Sequence, residues 1–508
     1  MASFLIYNQI MNKKNICVIG GGIGGITTAN KLLRMGYKVS LYEKNPYLGG
    51  LCSGFQVDGY HIDACFHWLM GTKENTKINK MWKDLGGLSH STPIYHSGTF
   101  LTIDNNGEVI HLYADLDKSR EEWKHLSKED ETEIDKFFNT VGKLKILWSY
   151  SQSNKKKRKE LLKLFSDISM KLKGIQGTRE QFANSFKNET LKYAIRYGLT
   201  GYNNALFFMI AYAAYATGDC GVPFGGAEEI VKRIHEKLVK LGCDIHLNEE
   251  VDEIVLGDDK VTGIISNGEF KPFDAVISCV DPNFTVEKLL KKQCEIKYFS
   301  KLNRNMNNNP ISSCFVTYLA ADKKLLEKIN VPTLVSIEPI AVGKKCIDAL
   351  LVRPYHFDPY FDKGKDSVVS LFFDQNQDDF DFYKSLSEKE YKKYKNKLIR
   401  TSQKLFEDKY PFLKGRTKVL ISFGPLELYK QTYSSFGAIQ SYSFTENNGF
   451  KIFSGKSWLY PNLFFASQWN RTCGGTPTAV QSGIKTAKKV HRSFNGPIKK
   501  IVGIIKRK

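Results

Sequence analysis

One stretch near the start of the chain constrains the fold more than any other. The short apolar run Asn15–Ile19 leads directly into the glycine-rich segment 20–25, and an amphipathic pattern follows. This order is typical of a strand, a tight turn and a helix. Gly20, Gly22 and Gly25 match the GxGxxG fingerprint, whose glycines permit a sharp turn, close approach of a pyrophosphate and close helix packing. We expect a phosphate at the helix N-terminus, where unpaired N–H groups and the helix dipole favour an anion.

The residues that follow the glycines support this interpretation. Gly36 and Tyr37 indicate a turn, and Lys38–Glu43 reads as a second strand that ends in an acid. In dinucleotide-binding folds an acid about 20 residues past the glycines contacts a ribose hydroxyl and disfavours a 2′-phosphate. The sequence therefore predicts a dinucleotide site that includes Glu43.

Length and charge limit the architecture and the partners. A chain of 508 residues is too long for one compact core, so two or three domains are expected. The net charge of +21 suits an anionic partner such as a membrane surface or a nucleic acid. No nucleic-acid motif accompanies the charge, so no nucleic-acid partner is predicted, and an ordinary solvated surface explains the charge as well.

Cysteine usage and hydropathy indicate the compartment. Ten cysteines occur without a CxxC pair, which favours reduced, buried thiols over a disulfide framework or a metal site. The longest apolar run, Ala205–Thr217, is shorter than the roughly 18 residues of a spanning helix and predicts core or the wall of an apolar pocket. We expect a cytoplasmic protein, with peripheral contact to a membrane as an open alternative.

Two basic segments are the basis for expecting peripheral contact with a membrane. Residues 155–173 place cations beside an apolar stripe, as an interfacial helix would, although the pattern favours an ordinary surface helix packed on a core. The tail 498–508 is short, apolar and cationic, and either docks on anionic lipid or is a frayed terminus.

Two further regions contain α/β signals. Residues 222–290 read as a turn, a helix to about Lys240, a strand over 243–254, a hairpin and another strand. Residues 462–483 read as a buried strand, a glycine-rich turn and a helix, which provides a second N-terminus for an anion or a cofactor carbonyl. The intervening part mixes strands, helices and many aromatic residues without a sharp motif.

Taken together, these segments resemble the branch of the flavin amine oxidase superfamily that contains phytoene desaturases, carotenoid isomerases and retinol saturases. The resemblance implies an α/β fold with a Rossmann-like FAD-binding domain, assembled from non-contiguous segments, and a mixed α+β substrate domain. The implied division is an FAD-binding domain at 12–85, 222–290 and 441–492, a helical insertion and candidate membrane-contact region at 86–221, a substrate-binding domain at 291–440 and a basic tail at 493–508.

The resemblance also implies which residues hold FAD without a covalent bond. The fingerprint and Glu43 would hold ADP, paired glycines would lie by the phosphates, a strand backbone would contact adenine, and the last motif would lie against the ribityl chain and flavin ring. The implied residues are Gly20, Gly22, Ile23, Gly24, Gly25, Glu43, Lys44, Gly49, Gly50, Leu51, His67, Val251, Gln468, Gly475, Thr476 and Thr478.

Two departures from the family pattern are informative. Leu51 stands where an arginine often follows the paired glycines, and Ser467-Gln468 stands where Gly-Asp is usual, so a neutral amide would face the ribityl chain. Both departures move the chain away from the best-known carotenoid desaturases and closer to the retinol saturase-like members.

The expected function is an FAD-dependent oxidoreductase that desaturates or saturates carbon–carbon bonds of a long apolar isoprenoid, carotenoid, retinoid-like or other lipid substrate. Hydride transfer at flavin N5 requires no obligatory acid or base, and NAD(P)H is a candidate transient electron donor. Asp63, His67 and Tyr433 are catalytic candidates by position, although satisfied buried polar groups are common at such positions. The alternatives are a double-bond isomerase, an amine oxidase and a non-catalytic lipid carrier of the GDP-dissociation-inhibitor type.

Overall fold

The computed structural model of the protein describes residues 14–65, 68–153, 178–199, 204–330, 332–445 and 451–505, with side chains described up to residue 495. The predicted FAD contact and catalytic candidate His67 lies outside the described residues. The basic segment 155–173 and the end of the tail, 506–508, lie outside them as well.

A central sheet of five parallel strands is built from three distant parts of the chain. Four of its strands are largely buried, as is typical of a parallel sheet covered on both faces, whereas the edge strand Asp244–Leu247 is partly exposed. In spatial order they are Asp244–Leu247, Lys38–Glu43, Asn15–Ile19, Ala275–Ser278 and Leu463–Phe465. The predicted α/β class with a Rossmann-like unit assembled from non-contiguous segments is thereby confirmed.

Three helices pack around this sheet. The first helix, Ile23–Arg34, follows the glycine turn and packs against the last helix, Thr476–Ile505. A third helix, Gly226–Lys240, also packs on the first, and it ends where the sequence predicts. All three present apolar faces to one buried core around the central sheet.

A second, large sheet has seven strands and forms the floor of the other half of the molecule. Its strands are antiparallel except where Thr333–Val342 runs parallel to Thr99–Asn105. In spatial order they are Thr417–Phe423, Ser312–Asp322, Asp366–Asn376, Lys345–Pro354, Thr333–Val342, Thr99–Asn105 and Glu108–Tyr113.

The last two strands differ from the sequence prediction, because they belong to the segment predicted as a helical insertion. They form a hairpin around Asn106 and Gly107, which have φ of 53° and 89°. Two residues at positive φ are what a tight hairpin turn requires, and Asn-Gly supplies them at low cost. The hairpin therefore extends the sheet of the 291–440 region, whereas the proposed domain boundaries themselves stay a prediction.

The rest of the 86–221 segment is largely helical in its described part. Its helices enclose a core of stacked aromatic rings that includes Trp123, Phe137 and Tyr212. The helices are Leu116–Leu126, Glu131–Gln152, Arg179–Ala183, Glu189–Tyr197 and Ala205–Ala216.

Further strands and helices complete the described structure. The short strands are Gly54–Val57, Tyr60–Asp63, Leu69–Met70, Ile94–Tyr95, Cys220–Pro223, Val251–Leu256, Val261–Ser266 and Glu269–Pro272. The remaining α-helices are Lys77–Leu85, Pro282–Phe284, Lys297–Asn303, Lys323–Leu326, Gln377–Ser385, Glu388–Lys409 and Pro425–Thr432.

Two further differences from the sequence prediction concern element boundaries. The strand predicted over 243–254 is two strands, because Asn248 has a φ of 54° and the chain leaves the central sheet there. The predicted boundary at residue 493 falls inside the last helix, since Ile498, Ile501 and Ile505 continue its helical spacing.

Three observations bear on the predicted compartment and metal content. All ten cysteines are described, and none forms a disulfide. Among the described residues, no group of three or more His, Cys, Asp or Glu could hold a metal ion. In the same part of the chain, no helix has both the length and the apolar character that crossing a bilayer demands.

Candidate active site

The glycine turn is shaped by contacts between backbone atoms. Gly20 has a φ of 93°, and its N–H donates to the carbonyl oxygen of Tyr42 at 2.8 Å. A Cβ on Gly24 would overlap the carbonyl oxygen of Ala466, and one on Gly25 would overlap that of Gly20. Glycine is thus required at 24 and 25 so that the first helix can pack against the turn and the last strand of the central sheet.

Gly22 has a different environment. It is the N-cap of the first helix, with no side chain to satisfy the N–H groups of the first turn. A Cβ there would meet only the carbonyl oxygen of Gly49, at 3.9 Å, so the space beside it is open. Gly49 in turn donates its N–H to Gly21 at 2.9 Å, which brings the paired glycines 49 and 50 next to the turn.

Glu43 is fixed beside the same turn. Its buried carboxylate accepts the N–H of Gly21 at 2.7 Å through one oxygen. The other oxygen accepts the backbone N–H of Asn45 at 2.9 Å and its side-chain amide at 2.7 Å. These bonds hold the acid in one orientation at the edge of the central sheet.

Tyr433 lies near Glu43, among residues predicted to hold ADP. Its ring stacks on Phe284 with centroids 4.3 Å apart, and the ammonium of Lys44 lies 3.5 Å from the ring centroid. Its hydroxyl donates to Glu250 at 3.4 Å. Burial lowers the pKa of Lys44, whose ammonium also donates to the carbonyl oxygen of Lys430 at 2.6 Å.

Asp63 is a satisfied buried carboxylate. It accepts the N–H of Cys65 at 2.8 Å and that of Ala227 at 3.2 Å. Its backbone carbonyl oxygen accepts the hydroxyl of Tyr318 at 2.8 Å. The side chain thus ties the hairpin strand Tyr60–Asp63 to the start of the helix Gly226–Lys240.

The closing motif brings a second helix N-terminus to the same place. Ser467 accepts the N–H of Trp469 at 3.2 Å and turns the chain after the last central strand. Gly474 donates its N–H to the hydroxyl of Ser441 at 2.7 Å, and the last helix begins two residues later at Thr476.

All these parts surround one cavity of about 650 Å³. Among the described residues predicted to hold FAD, only Gly25 is absent from its lining. Gly25 is used in packing against Gly20, and His67 is not among the described residues. The predicted residues that line the cavity are Gly20, Gly22, Ile23, Gly24, Glu43, Lys44, Gly49, Gly50, Leu51, Val251, Gln468, Gly475, Thr476 and Thr478.

A large apolar part of the lining was not predicted in detail. The helix Ala205–Ala216 contributes Phe207 and Ile210, which fits its predicted role as the wall of an apolar pocket. The large sheet contributes apolar side chains from alternate positions. Arg353, Tyr318 and Tyr355 are buried polar residues in the same wall. The sequence signal for these lining residues is the alternation of side chains between the two faces of strands 312–322 and 345–354. That alternation does not show which face lines a cavity.

Asp281 is a further cavity residue that the sequence analysis missed. Its carboxylate accepts the N–H groups of Asn283 and Ser435, each at 2.7 Å. Burial nevertheless raises its pKa to about 6. Its position just after a central strand, at the carboxyl edge where ligands bind in such sheets, was the signal that could have found it.

Comparison with known proteins identifies the family. The model of the flavin-containing amine oxidoreductases matches residues 23–491. The chain belongs to this family.

Individual members resemble the chain over nearly its whole length. The 4,4′-diaponeurosporene oxygenase of Staphylococcus haemolyticus (strain JCSC1435) is 24% identical over 515 residues, which cover 95% of this chain and 98% of that protein. Among solved structures, an oxidoreductase from Methanosarcina mazei has a TM-score of 0.58 at 16% identity, covering 92% of this chain and 99% of the other. A wild-type putrescine oxidase bound to putrescine has a TM-score of 0.58 at 14% identity, covering 94% and 99%. The two structures show a shared fold.

As a member of the flavin-containing amine oxidoreductases, the protein is an oxidoreductase with FAD as its cofactor. The cavity fits such a group. Two helix N-termini open onto it, the first of them without a side-chain cap, and Gly22 leaves room that a side chain would fill. A buried acid stands beside the turn, as ribose recognition requires.

The geometry separates two roles of glycine in this candidate flavin site. We expect Gly22→Ala to keep the fold but lower FAD affinity at least tenfold, because its methyl group would stand where a phosphate approaches the backbone. Gly24→Ala should instead lower the melting temperature of the apoprotein, because its Cβ overlaps Ala466. Fluorescence titration of apoprotein with FAD and thermal melting measure the two effects. Gly142→Ala, with open space around it, is the control, and a Gly22→Ala variant with wild-type FAD affinity would contradict the assignment.

The raised pKa of Asp281 predicts that the stability of the protein depends on pH. An acid whose pKa rises from 3.8 to about 6 on folding stabilises the folded state at low pH, and this contribution is lost as pH rises through that interval. The Asp281→Asn variant does not titrate there. As the pH rises from 4.5 to 7.5, its free energy of unfolding should therefore increase by about 2 kcal/mol relative to that of wild type. Thermal midpoints of both proteins across this range test the sign. The exposed Asp259→Asn variant should follow wild type, and a parallel pH profile for Asp281→Asn would contradict the prediction.

Proposed function

We propose that this flavin-dependent enzyme desaturates or saturates carbon–carbon bonds of a long apolar isoprenoid or carotenoid-like chain. The observation that carries the proposal is a single cavity with a dinucleotide cradle at one part and extended apolar walls at another. FAD, when bound, accepts or donates the hydride. The protein then has to align an apolar chain and exclude water.

The apolar walls come from two elements that face the same space. Phe207, Ile210 and Ala211 belong to the helix Ala205–Ala216, and Leu351 and Phe372 belong to the large sheet. Burying apolar surface contributes about 0.8 kcal/mol for each CH₂ group, so a long hydrocarbon chain can be held without a charged contact. The name of the Staphylococcus relative, a diaponeurosporene oxygenase, supports a substrate of this class.

The residues around the cradle would hold FAD in the arrangement that the sequence predicts. The N–H groups after Gly22 would bind phosphate, Glu43 would contact ribose, and Val251 would contact adenine through its backbone. Gln468 and the start of the last helix would lie at the flavin end. Tyr433 contacts Lys44 and lies beside Glu43, so we assign it to the nucleotide end of the cavity rather than to catalysis.

The proposed chemistry requires no general acid or base in this cavity. Asp63 is occupied by two backbone N–H donors, which is the pattern of a structural carboxylate. Amine oxidation is less well supported, because Lys44 is the only lysine among the described lining residues and it contacts Tyr433 near Glu43. A non-catalytic lipid carrier would have no use for the open cradle at Gly22. Double-bond isomerisation needs the same cradle and walls, and it remains the second candidate.

The decisive experiment tests for the cofactor and for the reaction with the same purified protein. The purified protein should show oxidised-flavin absorption bands that are released on denaturation, and anaerobic NADPH or NADH should bleach them if a nicotinamide is the electron donor. Incubation with 4,4′-diaponeurosporene, followed by chromatography and mass spectrometry, should yield a product with two hydrogen atoms fewer or more. Unchanged mass with altered retention would support isomerisation instead, and added oxygen would indicate chemistry like that named for the relative.

A matched pair of variants connects turnover to the apolar wall. Ile210→Asp places a charge in the lining and should lower turnover at least tenfold while FAD content stays unchanged. Ile146→Asp carries the same change at a position that is 49% exposed on another helix, and should behave as wild type. A colourless protein that takes up no FAD, or a flavoprotein that oxidises putrescine and no polyene, would overturn the proposal.

We also propose that the enzyme contacts an anionic membrane surface from which it collects its substrate. In the described residues, Trp458 is 78% exposed and Leu459 is 51% exposed on one loop. The ammonium of Lys297 lies 5.5 Å from the ring of Trp458. An exposed aromatic residue beside a cation is typical of a membrane interface, where the ring enters the headgroup layer and the cation faces anionic lipid.

Vesicle binding tests this contact. The full-length protein should sediment with vesicles that contain phosphatidylglycerol, and Trp458→Ser should weaken this binding several-fold. Phe270→Ser removes another exposed aromatic side chain, 54% exposed on a separate hairpin, and should have no effect. If both variants and wild type bind equally, the membrane contact lies elsewhere on the protein or does not exist.

A further inference from the structure

The floor of the cavity is organised in rows that run across the large sheet. Three neighbouring strands pair in register so that Tyr318 lies opposite Ser370, and Ser370 lies opposite Arg353. We call these three residues the polar row. Two residues further along each strand, Val316, Phe372 and Leu351 form an apolar row with the same pairing.

Both rows face the cavity, because side chains two residues apart on a strand lie on the same face of the sheet. All six residues line the cavity, and the intervening residues Val352 and Leu371 lie in the separate core behind the sheet. The spacing along a strand puts the two rows about 7 Å apart. A chain that lies along the apolar row therefore reaches the polar row at its end.

Arg353 is the charged member of the polar row. Its residue is 5% exposed, yet it lines the cavity. Its side chain bonds to Tyr355, and the carboxylate of Asp63 is close enough to raise its pKa, against the larger lowering by burial. The pair of Arg353 and Asp63 balances the charge, so the site as a whole suits a ligand group that accepts hydrogen bonds.

A second, smaller cavity of about 30 Å³ shares part of its wall with the first, Arg353 included. Trp68, Phe100, Pro332, Arg353 and Tyr355 line both spaces. A water-sized group occupies about 10–15 Å³ on this measure, so the smaller cavity has room for about two oxygen atoms. Hydroxyl groups of Ser97 and Tyr215, which hydrogen-bond to each other at 2.6 Å, belong to residues of its wall.

We propose that Arg353 binds a carbonyl or carboxylate oxygen at one end of the apolar substrate, with Tyr355 and Asp63 as positioning residues. The inference rests on the proposed function in taking the cavity to hold an apolar chain. A guanidinium has five N–H donors in a planar fork, which matches such oxygens. An oxygen at the cavity face of Arg353 would add charge-assisted hydrogen bonds that a hydrocarbon end cannot form, so a chain without the oxygen binds more weakly.

The site thus selects the substrate and fixes its direction in the cavity. The oxygen would lie at the polar row or in the smaller cavity, and the hydrocarbon would extend over Leu351 and Phe372. A chain entering with its other end first would place a methyl group against Arg353 and lose that hydrogen bond.

Three probes with the same polyene chain test the inference on the FAD-loaded enzyme. They are all-trans-retinal, all-trans-retinoic acid and the corresponding deoxy hydrocarbon, axerophtene. Wild type should bind at least one of the two oxygenated probes tenfold or more tightly than the hydrocarbon, as measured by quenching of tryptophan fluorescence. The preferred one identifies the oxygen as carbonyl or carboxylate, and bound retinal should show a red-shifted absorption band if its carbonyl meets the guanidinium.

Variants separate recognition from folding. Arg353→Met should abolish the preference and any red shift while axerophtene binds as well as before, and Arg353→Lys should keep part of both. Tyr355→Phe should reduce the preference without changing axerophtene binding, which covers the case in which Arg353→Met fails to fold. Arg416→Met, at an exposed turn, is the control. Equal binding of all three probes by wild type overturns the inference alone, whereas binding of none overturns the proposed function with it.

Discussion

Backbone contact at Gly24 and Gly25 is the constraint on which the rest of this structure depends. Gly25 packs on the carbonyl oxygen of Gly20, and Gly24 packs on that of Ala466, which comes more than four hundred residues later in the chain. A Cβ added to Gly483 of the last helix would lie 2.8 Å from the carbonyl oxygen of Gly24. The first and last helices can approach this closely only because no side chain intervenes, and this approach brings both of their N-termini to one cavity.

Three buried acids around the cavity are stabilised in the same way. Glu43, Asp63 and Asp281 are all buried, and each carboxylate accepts backbone N–H groups at 2.7–3.2 Å. Fixed amide donors stabilise a buried carboxylate. Asp281 is held in this way, whereas Asp63 also lies close to the guanidinium of Arg353. Lys44, Arg353 and Arg471 are the cations among the described lining residues, and Lys44 contacts the ring of Tyr433.

Sequence reasoning predicts the parts of this structure that depend on local contacts. The turn 20–25, the helix after it and the acid at Glu43 lie within one short stretch, so the spacing of glycines and apolar residues defines them. The inner strands of the central sheet could also be predicted, since they are short, largely apolar runs beside recognisable turns, whereas the edge strand Asp244–Leu247 was predicted with wrong bounds. The hairpin at 99–113 was missed as part of the large sheet, although its Asn-Gly turn is visible, because its partner strand begins more than two hundred residues later.

The polar row shows why the substrate side of the site is harder to predict. Tyr318, Ser370 and Arg353 become neighbours only through the register of three strands, and a shift by one residue would turn each of them away from the cavity. Nothing local marks these residues, whereas the cofactor side is marked by glycines that the backbone geometry requires. Under the proposed function, the register would set which chains the enzyme accepts, and the glycine contacts would set where FAD binds. A change in substrate would then follow from single substitutions in the rows of the large sheet while the cradle at Gly22 stays intact.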